Sequence, residues 1–572
     1  MERLPLKTYL DTVEQKLAQY SADQLRAILR QLAQQQDPEQ RQSFLAQLQP
    51  PDENLTPVQQ KLQDSLLDEI ASLAAEIEDA MEDAEPEYEE YDNYGDDEDD
   101  ENHYESFYAP LSALFDRAQA AFDYGQFELA ADAYHDLFEI LDLEDDYGGR
   151  IEISALPGVD RNESRSRYLR AVYEVENLEQ RPEALWDAML DVLSWLGAPR
   201  PMFSDVIQIS PKPLADQKPF LSAWIDLLKG ETGSEADAWL REAVRLAAGV
   251  QGLVDLVRAE GPQRPRVYLD WFAALEEEKR YAEVLAAAQD ALRALPQDLP
   301  IRAAIADHLC AAAVQLQKES LLRFGRMEAF RAKPELRRLL DLWEATPPAE
   351  RSMVMTQAIG YAQEAESRSR ESQNYVNQED DLEKAAYGTD SLLHAQLLAQ
   401  QWRTVQQRAA GEPILGWSGS SSTQGFILSF LLIKLSGRLP ANLPTNLAKL
   451  WQDRLQASIG YASYSSAANG LQTRLNQAYT DLFPTLEIDQ AAQETALTWC
   501  LNTANQRVDA IVGGQHRKSY DKAALVIAAC AETLQLRHEP TLAAGLIDHV
   551  HSRFPRHRAF ISELDSAIRL KK

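Results

Sequence analysis

Apolar residues recur at helical spacing along most of the chain. Val58, Leu62, Leu66, Ile70, Leu73, Ile77 and Met81 step by four, four, four, three, four and four, which lines them on one stripe of a helix opened by Thr56-Pro57. A stripe of this kind has to cover a second apolar surface, either the chain's own helices or the same helix of another copy in a coiled coil. Ahead of it, residues 1 to about 50 read as two or three short helices. Ser21 and Gln24 form a capping-box pattern there, and Asp37-Pro38 supplies a further cap with a first-turn proline. Alternating Val, Ile and Thr runs are nearly absent, while Ala, Leu, Gln, Glu and Arg dominate. Those residues keep their side-chain freedom in a helix, so the chain reads as all-α.

The clearest local unit is SALFDRAQAAFDYGQFELAADAYHDLFEIL. Ala118 and Ala121 precede Gly125, and Phe127, Ala130, Tyr134 and Leu137 follow it. Small residues let two antiparallel helices approach across a tight turn at Gly125, and the aromatic rings fill the groove between them. This segment resembles a tetratricopeptide unit. The segment RPRVYLDWFAALEEEKRYAEVLAAAQDALRALPQD repeats the spacing at Tyr281, Val284, Ala288, Ala291 and Pro296. It departs from the family pattern with Val284 where Ala is usual and Ala288 where an aromatic is usual. A weaker echo lies at Trp402 and Val405.

The two clearest units are offset by 154 residues, which is not a multiple of the family period of about 34. Insertions are therefore expected, at Asp142 to Arg165 and at Leu196 to Lys218. The resemblance implies an irregular tetratricopeptide-like α-solenoid with a concave protein-binding surface. A second resemblance is to the helical regions that accompany SWIM-type zinc fingers in bacterial proteins. Leu321 to Glu344, the N-terminal TYLDTVEQKLAQYSADQLRAILRQLAQQQDPEQRQSFL and the closing RFPRHRAFISELDSAI carry it. The finger itself needs a C-x-C pair, and none exists here, so zinc and the associated nucleic-acid role do not carry over.

Charge changes this picture in two places. The 572 residues carry a formal −35, and 17 of the 30 residues from Glu76 to Glu105 are acidic. Such a block repels itself and buries little, so Pro86 to about Tyr104 is expected to be a disordered linker. Tyr88, Tyr91 and Tyr94 are interleaved with the acids, as in segments that dock on basic, partly apolar partners; a plain solvated spacer is the other reading. From Arg507 onward the balance reverses, with 11 Lys or Arg against 7 Asp or Glu. Arg553, Arg556 and Arg558 cluster around Pro555 as a basic face suited to an acidic surface, either the chain's own tract or a partner's. The expected divisions are an N-terminal helical segment (1–84), an acidic linker (85–106), tetratricopeptide-like repeats (107–345) and C-terminal helical repeats with the basic final section (346–572).

Residues with chemical potential do not assemble into a motif. Cys310, Cys500 and Cys530 are too few for a disulfide framework and read as core residues. His135-Asp136 is half of a metal-phosphohydrolase pattern, but no matching upstream His accompanies it and His135 should face solvent. Asp307, His308 and Cys310 point apart on a helix. Asp142 to Gly149 resembles a calcium loop, but Tyr147 stands where glycine is required, so a helix-ending turn with Gly148 and Gly149 at positive φ is expected. Gly411 and Gly416 lack the Lys of a phosphate loop. The stretch Gly416 to Gly425 could form an anion nest but reads as a capped loop, since no cation is near in sequence before Lys434. Asp548, His549, His551 and His557 diverge on a helix.

No metal, cofactor or membrane span is expected, no apolar signal core opens the chain, and a cytoplasmic location follows. The expected function is a non-catalytic scaffold or adaptor that binds a protein partner. The alternative is a nucleic-acid-associated factor using the basic C-terminal face, disfavoured by the acidic field of the whole chain. A hydrolase without a recognisable motif comes third.

Overall fold

A computed structural model describes residues 6–21, 24–26, 28–30, 65–82, 104–197, 199–372, 391–416, 422–459 and 468–569. The described regular structure is helical, with no strand among the described residues, and the chain is all-α. Thr56-Pro57, Asp37-Pro38 and the acidic segment with Tyr88, Tyr91 and Tyr94 lie outside the described residues. Two compact units are present, Met1–Leu256 and Val257–Lys572.

The first unit holds α1 (Leu6–Leu17), α2 (Leu66–Glu82), α3 (Glu105–Asp123), α4 (Phe127–Asp142), α5 (Arg161–Val175), α6 (Arg181–Leu196), α7 (Phe203–Gln208), α8 (Gln217–Gly230) and most of α9 (Ser234–Glu260). After α1, the capping box closes in both directions. Ser21 N–H donates to Gln24 Oε1 at 2.8 Å and Gln24 N–H donates to Ser21 Oγ at 3.3 Å. The α2 stripe, Leu66, Ile70, Leu73, Ile77 and Met81, is buried against α3 and α4 of the same chain. Helices α3 and α4 form the anticipated hairpin: Ala118, Ala121, Ala130, Tyr134 and Leu137 have no exposed surface. Phe127 meets Phe122 edge-on at 5.6 Å.

The second unit runs through α10 (Val267–Glu277), α11 (Tyr281–Ala294), α12 (Arg302–Gln315), α13 (Glu319–Ala332), α14 (Leu336–Ala345), α15 (Arg351–Ser372), α16 (Ser391–Leu398), α17 (Trp402–Ala410), α18 (Thr423–Ser436), α19 (Thr445–Ser458), α20 (Ala468–Leu482), α21 (Gln490–Val508), α22 (Tyr520–Leu536), α23 (Pro540–Arg553) and α24 (Arg558–Arg569). Val284, Ala288 and Ala291 are fully buried on α11. One continuous core extends from Phe330 to Leu564. Helices α16 and α18 are buried on every face, apart from Lys434, and α22 is buried without a break from Ala523 to Leu534. Helices that are apolar all round belong at the centre of a helical body, and the flanking helices cover them.

Six turns between helical segments share one geometry among the described residues. At Gly125, Lys279, Gln317, Gln400, Gln515 and His538 the backbone has φ between 54° and 78°. In each turn that residue's N–H bonds three residues back, and the next N–H bonds five back, as with Gly125 to Phe122 and Gln126 to Ala121, both at 2.9 Å. This is the Schellman arrangement, which satisfies the last carbonyls of a helix and reverses the chain. Only the first of the six has glycine at the left-handed position. The others hold Lys, Gln or His there at a steric cost.

Packing is tightest where glycine removes a side chain. A Cβ on Gly325 of α13 would lie 2.6 Å from Cys310 Sγ and 2.8 Å from Leu309 Cδ2 of α12. Cys310 is thus a small core residue, as expected, and Cys500 and Cys530 are buried free thiols. In the core around α16, His394 has no exposed surface. Its Nδ1 lies 2.7 Å from the Tyr479 hydroxyl, and Phe426 meets its ring edge-on at 4.8 Å. Burial pushes its pKa from 6.5 down to about 3, so the ring stays neutral at ordinary pH.

These features give two expected outcomes. Gly325→Ala should destabilise the second unit by about 1–3 kcal/mol through overpacking. Gly125→Ala should also destabilise, whereas Gln317→Gly should stabilise by about 0.5–1 kcal/mol by relieving the left-handed backbone; urea denaturation of the three variants measures all of these. His394 makes stability pH-dependent. Between 6.5 and about 3 the unfolded chain takes a proton that the folded chain refuses, so stability falls as pH is lowered through that window. The slope due to this group is about 1.4 kcal/mol per pH unit. Urea titrations of native protein and His394→Gln from pH 7 to 5 should show a flatter profile in the variant.

Candidate functional site

The C-terminal face is built around buried aromatic rings. Phe554 and Phe560 pack edge-on at 6.0 Å, and Tyr520 packs on Phe560 at 5.8 Å. The Tyr520 hydroxyl lies 3.3 Å from His557 Nδ1. This packing fixes the turn between α23 and α24, so that Arg556 and Arg558 are presented to solvent. Arg553 sits 5.8 Å over the Phe554 ring, with its Nη2 2.9 Å from the Asp509 carboxylate. A shallow groove runs beside α24, lined by Arg558, Ile561, Ser562, Asp565 and Arg569. Asp565 also lies 3.2 Å from His551 Nε2 and 3.8 Å from Arg569. Of the cations counted from Arg507 onward, Arg507 is buried. Arg537 is held by Glu539 at 3.1 Å and Arg553 by Asp509. The exposed basic face is therefore smaller than the local charge count suggested.

Asp548, His549, His551 and His557 do not converge. Among the described residues, one group of three possible metal ligands does: His135, Asp136 and Glu139. His135 is half-exposed rather than wholly solvent-facing, because Trp195 of α6 packs edge-on against its ring at 5.1 Å.

Other flagged residues have structural partners. Asp307 binds Arg338 at 2.8 Å, His308 Nδ1 lies 2.8 Å from Glu276 Oε1, and Cys310 Sγ points toward Leu322 O at 3.7 Å. The thiol and imidazole therefore do not meet, and burial pushes the thiol up to about 12. In the turn after α4, Asp145 Oδ1 accepts from Tyr147 N–H at 2.9 Å and Gly149 N–H at 2.7 Å. Gly148 has φ +81° but Gly149 does not take positive φ, which corrects the expectation for that residue. A Cβ on Gly149 would press on the Asp145 carboxylate, which would have to shift. Of the loop before α18, residues 417–421 lie outside the described residues. Ser422 caps α18 by accepting from Gly425 N–H at 3.0 Å, and Glu412 accepts from Gln424 N–H at 3.2 Å.

Sequence reasoning missed the buried arginines. Helix α5 is polar in sequence, yet Ser164 to Ala171 is buried throughout. Arg170 binds Glu174 at 2.7 Å and donates to Val206 O and Lys212 O at 3.3 and 3.1 Å. Arg165 donates to Pro199 O. The proline-rich insertion, Leu196 to Lys218, is thus tied down by cations of a helix whose start lies in the other expected insertion, Asp142 to Arg165. Arg302 caps α11 by donating to Leu292 O and Leu295 O, both at 2.7 Å. Arg454 reaches the α18 N-terminus, its Nη1 2.8 Å from where a Gly425 Cβ would stand, although no cation neighbours that loop in sequence. Burial and the nearby Arg454 charge lower Arg507 to about 10.

No described helix is long and apolar enough to cross a membrane. No family model, curated protein or solved structure matches the chain, so the residues themselves carry the functional reading.

Proposed function

We propose that this chain is a non-catalytic scaffold or adaptor that holds a protein partner on its helical surface. The observation that carries this reading is the composition of the α24 groove. Arg558 and Arg569 flank the carboxylate of Asp565, with Ile561 and Ser562 beside them. A polypeptide with charges of both signs and an apolar side chain complements all of these groups. A phosphate backbone would meet Asp565 as a like charge, in a chain whose overall field is already repulsive.

The tetratricopeptide-like reading of the hairpins accords with the buried small residues Ala118, Ala121, Ala130 and Ala291. Tyr88, Tyr91 and Tyr94, among the acids of 85–106, serve in this reading as a second docking element for a basic partner. A cytoplasmic location fits three free thiols. The nucleic-acid alternative draws on Arg553, Arg556 and Arg558, of which Arg556 and Arg558 are exposed without a carboxylate within 4 Å among the described residues.

A photo-crosslinking amino acid at Ser562 in the native host tests the reading. The expected result is a discrete protein adduct, identified by mass spectrometry, that disappears when Arg558→Glu and Arg569→Glu are introduced together. Salt-dependent retention of the purified chain on RNA, lost on reversing Arg553, Arg556 and Arg558 to Glu, would instead favour the nucleic-acid alternative.

A further inference from the structure

The surface shared by α4 and α6 gathers carboxylates without basic partners. Asp136 Oδ1 and Glu139 Oε2 lie 3.6 and 3.8 Å from His135 Nδ1. Among the described residues no Lys or Arg comes within ion-pair distance of either carboxylate. Asp191 of α6 acts on His135 electrostatically, and Asp132, Glu139 and Asp191 all act on neighbouring Tyr168. Negative charge therefore accumulates here with one imidazole in its midst.

That imidazole is held in place. Trp195 meets it at 5.1 Å and 77°, and Tyr168 at 6.4 Å and 68°. Two edge-on rings from two different helices restrict the plane of the His135 ring and leave Nδ1 directed at the carboxylates. The three donor atoms lie within 4.8 Å of one another.

We propose that His135, Asp136 and Glu139 form a binding site for a divalent transition-metal ion of the zinc class. Bonds of about 2.0–2.2 Å to nitrogen and oxygen place tetrahedral ligand atoms roughly 3.3–3.6 Å apart. The 3.6 and 3.8 Å separations of the two carboxylates from His135 Nδ1 lie close to this. An imidazole with carboxylates suits zinc, copper or nickel, whereas magnesium and calcium take oxygen shells. Asp191 contributes negative charge from α6, so the ion also offsets repulsion between the two helices. Two half-exposed donors and the exposed Glu139 make this an open site of moderate affinity.

The test uses the full chain after treatment with a chelator. Zinc chloride titrated calorimetrically should fill one site with Kd in the roughly micromolar range. His135→Gln and Glu139→Gln should each weaken it about tenfold or more, while His551→Gln leaves it unchanged. Copper(II) should quench Trp195, whose ring lies against His135; Trp195→Phe should remove the quenched component but keep the zinc site. Circular dichroism identifies a variant that fails to fold, and either remaining ligand variant then decides. Absence of saturation below about 1 mM would overturn the proposal, as would zinc affinity in both His135→Gln and Glu139→Gln unchanged from that of the native chain. Displacement of zinc by equimolar magnesium would overturn the imidazole ligation.

Discussion

An all-helical chain has no sheet ladders in which to satisfy its connecting backbone. The unpaired N–H and C=O groups at helix ends therefore govern how closely its helices can pack. Both units meet this constraint with charged side chains brought from other helices. In the first, Glu242 of α9 accepts from Phe203 and Ser204 N–H at 2.7 and 2.9 Å, capping the short α7. In the second, Glu532 of α22 accepts from Asn446 and Leu447 N–H at 3.3 and 2.9 Å, capping α19. Each carboxylate sits at the positive end of a helix, where it is electrostatically favoured. Burial still raises Glu242 above the ordinary carboxylate range.

The carbonyl ends are treated in the complementary way. Arg302 donates to the end of α11, and Arg181 donates to Glu176 O at 2.8 Å, at the end of α5. The planar guanidinium offers several donors at once, so one side chain can serve two or three carbonyls. The Schellman turns do the same with backbone alone. Once the ends are satisfied, contacts as close as Gly325 on Cys310 become possible, because no hydrated group has to be kept between the helices.

One consequence concerns the surface. Among the described residues, the buried charged side chains are eight arginines and a single glutamate. The core thus holds cations while the exterior holds the acids, and the surface is more negative than the net −35 implies. Arg326, Arg338 and Arg474 meet Asp307, Asp341 and Glu344 in one network between 2.6 and 3.9 Å, which is balanced in charge. An exterior of this kind favours basic protein surfaces and metal cations over polyanions.

What the sequence by itself determined is the part that depends on near neighbours. Helical class, the α2 stripe, the Ser21–Gln24 box, the Gly125 turn and the fate of the cysteines all follow from spacing of three or four residues or from the special backbone of glycine. The same local logic correctly separated His308 from Cys310. Tertiary structure alone decided the rest. Helix α5 reads as surface because four arginines lie in its first ten residues, yet three of them are buried, and carbonyls of residues 199–213 meet two of these, Arg165 and Arg170. Five of the six shared turns carry Lys, Gln or His at positive φ, and nothing in those residue types announces a left-handed backbone. Arg454 reaches Gly425, and Trp195 orders His135, across gaps of 29 and 60 residues. Periodicity reports which face of a helix is buried; it carries no information about which distant helix arrives to bury it.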